Sequence, residues 1–286
     1  MNKMSFNSIN VQPLSKAMGA EITGVDLGSD LSDEQFTEIR QALFTYGAIG
    51  FRDQELSHED HYNLARRFGT LEVHPIVEGM KDHPEIIRMF KPAGEAASFG
   101  VGWHSDNSFF EKPSLGSIVY AEKVPPVGGD TLFANQQLAY QALSDGMKKT
   151  LNGLQAVHTA KDAYTSPTAA EKYGEDAAIR YRRDPIIDQS VVHPLVIQHP
   201  TTGVKALYVN AMFTDRIDGW TREESRPLID FLCAHATREE FQCRFRWARH
   251  SLAMWDNRIA QHAALNDYED YERILYRITV NGEKLS

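Results

Sequence analysis

A histidine and an aspartate two residues apart, His104 and Asp106, lie in a short polar motif, and a second histidine, His262, follows far downstream. Two imidazoles and one carboxylate form the facial ligand set that holds non-haem Fe(II) and leaves coordination positions open. Residues i and i+2 of an extended strand project to the same side. His104 and Asp106 can therefore face one metal ion while Ser105 faces away, and we expect His262 to complete the site from a different strand.

The elements that must position these residues are mostly strands. Helices are predicted where Ser32 and Gln35, and again Ser57 and Asp60, have the spacing of a capping box, and further helices at 135–154 and 221–236. Many strands with helices gathered towards the N-terminus predict an α+β chain around a β-sandwich or barrel. Extended segments are predicted at 10–26, 48–51, 86–90, 118–121, 131–133, 193–199, 206–210, 242–247, 251–255 and 274–280.

The composition of the 286-residue chain bounds the class of protein. A hydrophobic fraction of 42% suffices for a sizeable core, and a single domain over residues 1–286 is expected. A net charge of −9 argues against nucleic acid and anionic membranes as partners. The chain has neither the ~20 apolar residues of a membrane span nor a signal peptide, so we expect a cytoplasmic protein. Cys233 and Cys243 could pair, but a reducing compartment favours free thiols.

One polar, irregular segment interrupts this pattern at about 160–190, and a Gly-, Ala- and Pro-rich loop at 91–102 leads into the histidine motif. The segment at 160–190 has two interpretations. It could be a solvated surface insertion, or a lid that becomes ordered over the site when substrate binds.

Several motifs in a fixed order resemble the TauD/TfdA family of Fe(II)- and 2-oxoglutarate-dependent dioxygenases. The likeness runs from residue 19 to residue 282, nearly end to end. The family fold is a double-stranded β-helix, the cupin-like jelly roll, and this agrees with the predicted strands. The motifs are Trp-His-Ser-Asp at 103–106, Gly-Gly-Asp-Thr at 128–131, Trp-Asp-Asn-Arg at 255–258, His262, and then Arg273 and Arg277.

The resemblance implies a role for each matching residue. His104, Asp106 and His262 match the iron ligands. Thr131 and Arg273 match the hydroxyl and the guanidinium that hold the far carboxylate of 2-oxoglutarate. A guanidinium suits that task because it binds a carboxylate through two parallel hydrogen bonds.

Substrate-binding candidates also come from the resemblance. Arg277 matches a partner for an anionic group of the prime substrate, or a second contact to the cosubstrate. His74 matches a substrate-contacting histidine, although it could be an ordinary loop histidine. Asn210 and Phe213 fall where the family lines its substrate cavity, and structural packing is the other interpretation.

The implied reaction couples oxidative decarboxylation of 2-oxoglutarate by O2 to hydroxylation of a substrate C–H bond, with release of succinate and CO2. Asp106 favours hydroxylation over halogenation, since related halogenases have a small residue there. Hydroxylation next to a heteroatom would lead to C–S or C–O cleavage. Taurine-specific members carry tyrosine at the position of Val77 and asparagine at that of Gly100. We therefore expect a less polar anion, such as a sulfonate, sulfate ester or carboxylate.

Two other functions use parts of the same pattern. A zinc hydrolase could use the three ligands but would leave Thr131 and Arg273 without a purpose. A non-catalytic jelly-roll binding protein could have kept the ligands by descent. Relatives commonly form dimers or tetramers, so a homo-oligomer is expected. Asp256 and Asn257 are expected to fix the loop before His262 by local hydrogen bonds.

Overall fold

The computed structural model describes residues 6–95, 100–165 and 181–286. The helices are α1 (Asp33–Tyr46), α2 (His58–Arg66), α3 (Gln136–Ala142), α4 (Asp145–Leu151), α5 (Lys161–Thr165) and α6 (Arg222–Ala236), with 3-10 turns at Pro185–Asp188 and Glu239–Phe241. The strands are β1 (Asn10–Pro13), β2 (Ala20–Thr23), β3 (Ala48–Phe51), β4 (Ile86–Lys91), β5 (Gly116–Lys123), β6 (Thr131–Asn135), β7 (Gln155–Thr159), β8 (Ser190–Pro194), β9 (Val196–Gln198), β10 (Lys205–Leu207), β11 (Thr214–Ile217), β12 (Gln242–Phe245), β13 (Leu252–Asp256), β14 (Ala260–Ala264) and β15 (Arg273–Val280).

The strands form one large sheet and three small ones. The large sheet has the order β1-β2-β3-β13-β5-β15-β4, and β2 and β3 are its parallel pair among the described strands. A three-stranded sheet, β12-β6-β14, packs on one of its faces, while β11-β7-β8 and β10-β9 are separate. The two packed sheets form the expected jelly roll, with helices outside it.

Successive side chains along each strand of the large sheet point to opposite faces of the sheet. In β15, Ile274 and Tyr276 belong to a core cluster under α1 and α2, while Leu275 belongs to the cluster between the two sheets. The two sheets are close together at Gly50, because a Cβ there would stand 2.1 Å from the Phe245 ring. Residues 273, 275 and 277 consequently share the inner face of the jelly roll.

The capping boxes are confirmed. The hydroxyls of Ser32 and Ser57 accept hydrogen bonds from the backbone N–H of Gln35 and Asp60, each at 3.1 Å, and Thr221 begins α6 in the same way. Each cap satisfies an N–H group that the first helical turn leaves without a partner. Both helices that cover the outer face of the large sheet therefore begin where the sequence predicts.

The single helix predicted at 135–154 is wrong. Leu143 has an extended backbone, and the chain forms two short helices, α3 and α4, in its place. The cause is local, since the Ser144 hydroxyl accepts from the Met147 N–H and starts a new helix. Cys233 and Cys243 are free thiols, as expected.

The two irregular segments are only partly described. In the segment at 160–190, α5 and the 3-10 turn Pro185–Asp188 flank residues 166–180, which lie outside the described residues. In the loop at 91–102, residues 96–99 lie outside them as well. A lid at 160–190 therefore stays a prediction. Within the described ranges, no helix combines the length and apolar composition needed to cross a bilayer.

Candidate metal centre and its two cavities

The three residues singled out by the sequence meet at one point. His104 and His262 face each other in an isolated β-bridge, with backbone N···O distances of 3.1 and 2.8 Å. The Nε2 atoms of His104 and His262 lie 3.6 and 3.8 Å from Asp106 Oδ1, and all three side chains are buried. Atoms that bind one ion at about 2.1 Å lie roughly 3–4 Å apart. The donor set thus fits one metal ion.

The route by which Asp106 reaches this point differs from the expected extended strand. His104 is bridged to β14, but the chain turns at 106–109, and Asn107 has a φ of 54°. His104 and Asp106 nevertheless face one point, as the two-residue spacing predicts, while the Ser105 hydroxyl donates to the Ala260 carbonyl. A hydrogen bond of 3.2 Å from the Asp106 N–H to Asn257 Oδ1 holds the turn against the β13–β14 connection. The sequence did not predict this long-range bond. The local fixing that it does predict comes from the Trp255 indole, which donates to Asn257 Oδ1, and from the Arg258 N–H, which donates to Asp256 Oδ1 at 3.0 Å.

The protonation states suit metal binding. The Nδ1–H of His104 donates to the Gly102 carbonyl at 2.9 Å, which leaves the Nε2 lone pair facing Asp106. Burial and the neighbouring His104 lower the pKa of His262 to about 3, so its imidazole is neutral. Burial alone would raise the pKa of Asp106, but His262 and Arg277 outweigh that effect and hold it well below its usual value.

The carboxylate of Asp106 is fixed through both oxygens. Ser117 donates to Oδ2 at 2.7 Å, and Arg277 donates to Oδ1 at 3.2 Å. Asn257, which holds the Asp106 backbone, also accepts from the Trp255 indole at 3.1 Å. Ser117 was not identified from the sequence, because the residues adjacent to it in the chain form no recognisable motif. Only the pairing of β5 with β13 and β15 brings it to the site.

A narrow cavity on one side of the triad contains the expected cosubstrate residues. Thr131 lies at the start of β6, where its hydroxyl accepts a hydrogen bond of 3.0 Å from the Trp247 indole. Arg273, at the start of β15, is 7% exposed, and burial lowers the pKa of its guanidinium. Asp130, whose charge acts on Arg273, is bonded to Arg244 at 2.6 Å. A buried cation of this kind calls for an anionic ligand.

A second cavity, of about 240 Å³, borders His104 and Asp106 and shares Arg277 with the narrow one. Arg277 and Phe213 line it as expected, and the Phe213 ring lies 6.2 Å from the His104 ring. Tyr164, Tyr181 and Met212 also line it, and the sequence reasoning missed them. The two tyrosines lie within the irregular segment at 160–190, so that segment was the available signal.

His74 and Asn210 lie near this cavity, but their polar groups are hydrogen-bonded to other groups of the protein. His74 Nδ1 accepts from the backbone N–H of Ile76 and Val77, and its Nε2–H donates to Asn107 at 3.1 Å. Asn210 donates to Ser108 at 3.0 Å and accepts from the Phe213 N–H at 2.9 Å. Their substrate-binding roles stay predictions.

A jelly roll with a buried His-Asp-His group and an arginine-lined cavity on each side defines a non-haem iron oxygenase. Residues 10–279 match the family described as taurine catabolism dioxygenase TauD, TfdA family, and the chain belongs to this family. It is an Fe(II)- and 2-oxoglutarate-dependent dioxygenase that uses O2. This membership favours the dioxygenase over the zinc hydrolase and the non-catalytic binding protein.

Individual relatives are also described as alpha-ketoglutarate-dependent dioxygenases. The chain is 33% identical to an alpha-ketoglutarate-dependent sulfate ester dioxygenase of Pseudomonas putida, over 96% of this chain and 90% of that protein. It is 30% identical to an (S)-phenoxypropionate/alpha-ketoglutarate-dioxygenase of Sphingobium herbicidovorans, over 98% and 97%. A putative alpha-ketoglutarate-dependent taurine dioxygenase from Burkholderia xenovorans superposes with a TM-score of 0.82 at 37% identity, covering 97% of this chain and 91% of that one.

Proposed function

We propose that this dioxygenase hydroxylates a C–H bond of a small organic anion whose charged group binds at Arg277. The observation that carries the proposal is that one strand, β15, provides an arginine to each of the two cavities. Arg273 lines only the narrow cavity, and Arg277, four residues on, lines both and is the arginine of the larger one. Residues four apart in a strand share a face. The proposed cosubstrate cavity and the proposed substrate cavity thus each contain a guanidinium beside one metal site.

The protein's own residues divide the work. His104, Asp106 and His262 hold the iron, which with 2-oxoglutarate and O2 supplies the oxidation of the C–H bond. Thr131 and Arg273 bind the far carboxylate of 2-oxoglutarate. Hydrogen bonds to Asp106 from Ser117 and Arg277 keep its Oδ1 directed at the two imidazoles.

The wall of the larger cavity indicates the rest of the substrate. Val101, Ala163, Met212 and Phe213 give it an apolar lining around the charged end at Arg277. Such a cavity binds an organic anion through its apolar body and fixes its orientation through few polar contacts. The named relatives act on a sulfate ester and on (S)-phenoxypropionate, which supports a sulfate ester, sulfonate or carboxylate here. Hydroxylation beside the heteroatom would then release it by C–O or C–S cleavage.

Two positions argue against taurine as the preferred substrate. Val77 is fully buried, and its backbone N–H is already bonded to His74. Gly100 borders both cavities without a side chain. Neither residue can offer the hydrogen bond that tyrosine or asparagine would give, and each such bond is worth about 1 kcal/mol.

His74, Asn210 and Phe213 complete the proposed substrate side. Phe213 contacts the substrate directly. His74 acts through Asn107, and Asn210 acts by holding the backbone of Phe213. Residues 160–190 are proposed to close over the cavity. The whole chain is proposed to act as one domain and to form a homodimer or homotetramer. Light scattering would test the oligomeric state.

The test is a screen for succinate release with alkyl sulfates, alkyl sulfonates, aryloxy carboxylates and taurine. We expect an anion with an apolar body to exceed taurine in kcat/KM by at least about tenfold. Arg277→Gln should abolish that preference for anions. A neutral substrate that outperforms every anion, or taurine as the best substrate, would overturn the proposal.

A further inference from the structure

Two buried cations lie opposite each other in neighbouring strands, and one of them, Arg273, lines the cosubstrate cavity. Lys91 in β4 and Arg273 in β15 are directly opposite each other in the antiparallel register. Both are buried, with 5% and 7% of their surface exposed. The ring of Tyr268 lies 4.7 Å from Lys91 Nζ and 5.5 Å from Arg273 Cζ. Both positive charges therefore lie within 6 Å of one ring.

Only neutral groups bind the ammonium of Lys91 in the part of the chain that the structure describes. Its Nζ donates to the backbone carbonyls of Pro92, Tyr268 and Glu269 at 3.4, 3.4 and 3.1 Å. These bonds satisfy the donors but leave the charge uncompensated. A carbonyl dipole stabilises an ammonium without removing its repulsion of a neighbouring guanidinium.

The acidic side chains of this region are engaged elsewhere. Asp130 binds Arg244 at 2.6 Å, and Glu272 binds Lys123 at 2.9 Å. Among the described residues, neither Lys91 nor Arg273 takes part in an ion pair. Like charges directly opposite in a sheet destabilise it, and buried charges need a counter-charge. The charge of Asp130 acts on Arg273, but Asp130 is paired with Arg244, and no described carboxylate lies within ion-pair distance of either Lys91 or Arg273.

We propose that Lys91 is a positioning residue that, with Arg273, selects a 2-oxo acid carrying a second, distal carboxylate. The inference rests on the proposed function, in which Arg273 binds that carboxylate. Lys91 does not border the cavity and acts through its charge and the Tyr268 ring, whereas Arg273 makes the direct contact. A monoanionic 2-oxo acid would leave the two cations uncompensated, so it should gain nothing from Lys91.

The experiment measures binding to the Fe(II)-loaded protein without oxygen, by calorimetry. The two probes are 2-oxoglutarate and 2-oxopentanoate, a five-carbon 2-oxo acid that lacks the distal carboxylate. Lys91→Met should weaken 2-oxoglutarate about tenfold and leave 2-oxopentanoate unchanged, because one nearby charge is lost. Lys91→Arg should keep the affinity for 2-oxoglutarate. Lys91→Gln, which can still donate to the carbonyls, should behave as the methionine variant does and serves if that variant does not fold.

Two outcomes would overturn the inference. Equal weakening of both acids would mean that Lys91 merely ties down the loop at Tyr268 and Glu269, and unchanged binding of 2-oxoglutarate would mean that its charge has no role. Arg273→Gln separates this from the proposed function. If Arg273→Gln weakens 2-oxoglutarate and Lys91→Met does not, only the inference fails. If Arg273→Gln has no effect, the cosubstrate assignment itself fails.

Discussion

The two cavities that meet at the metal centre are built from different kinds of structure. The narrow one is lined by residues of paired strands, with Thr131 at the start of β6 and Arg273 at the start of β15. The larger one takes Tyr164 and Tyr181 from the segment at 160–190, and Met212 from a turn. A fixed cosubstrate can be held by a rigid scaffold, whereas loops adapt the other side to a particular substrate.

The largest expected effect comes from removing His104, a residue of the metal centre that lines both cavities. His104→Ala removes an iron ligand, so succinate formation should fall by at least about 10³-fold. His83→Ala, which alters a histidine outside the triad, is the matched control and should retain activity. Metal content and succinate release give the readout. Turnover that persists in His104→Ala would remove this residue from the ligand set.

Arg273→Gln tests the rigid side. It removes the buried guanidinium that is proposed to bind the far carboxylate, so the KM for 2-oxoglutarate should rise about 10²-fold, while the KM for the prime substrate changes little. The measurement is steady-state succinate release with each reactant varied in turn. Equal increases in both KM values would contradict the division of the site into two cavities.

Phe213→Ala tests the adaptable side. The ring lies against Phe109 at 5.0 Å and near His104, so its loss should enlarge the cavity and shift preference to bulkier anions by about tenfold in kcat/KM. The KM for 2-oxoglutarate should stay the same. Competition between a short and a long substrate measures the shift. An unchanged ratio of kcat/KM between the two substrates, together with a raised KM for 2-oxoglutarate, would show that Phe213 serves the cosubstrate cavity and not the substrate cavity.

The smallest effect concerns stability behind the substrate cavity. Glu72 is buried and accepts hydrogen bonds from Asn107 and Ser114 at 2.7 and 2.9 Å. Burial raises its pKa from 4.5 to about 7. Between those two values the unfolded chain ionises while the folded protein stays protonated. Stability should therefore be highest below pH 4.5 with respect to this group and fall as the pH rises to 7.

Glu72→Gln should remove that dependence, since glutamine does not titrate. The free energy of unfolding of the wild type should drop by roughly 1–3 kcal/mol relative to the variant between pH 5 and pH 7.5. Denaturant titrations across this range give the comparison. Parallel pH profiles for the two proteins would show that the carboxyl of Glu72 is already ionised in the folded state.

The same contrast between strands and loops decides how far the sequence could be read. The His-Asp-His group, and the residues proposed to bind the cosubstrate, Thr131 and Arg273, were singled out because they match family motifs that follow one another in a fixed order. Capped helices were found because a cap and its partner are three residues apart. Such signals are local, and the geometry that they imply needs no knowledge of distant contacts.

The features that were missed depend on contacts between remote segments. Ser117 reaches Asp106 only through the register of β5 in the large sheet, and Lys91 meets Arg273 only through the pairing of β4 with β15. Tyr181 forms a bridge with Val77 that no sequence period marks. The turn at Asp106 is of the same kind, since its backbone is held by Asn257, far along the chain.

The most direct test of the central claim is the visible absorption of the protein under anaerobic conditions with Fe(II) and 2-oxoglutarate. Chelation of the metal by the 2-oxo acid at His104, Asp106 and His262 should give a weak charge-transfer band that needs both reactants and is lost in His104→Ala. A wild-type protein that gives no band, or a His104→Ala variant that keeps it at full strength, would contradict the account.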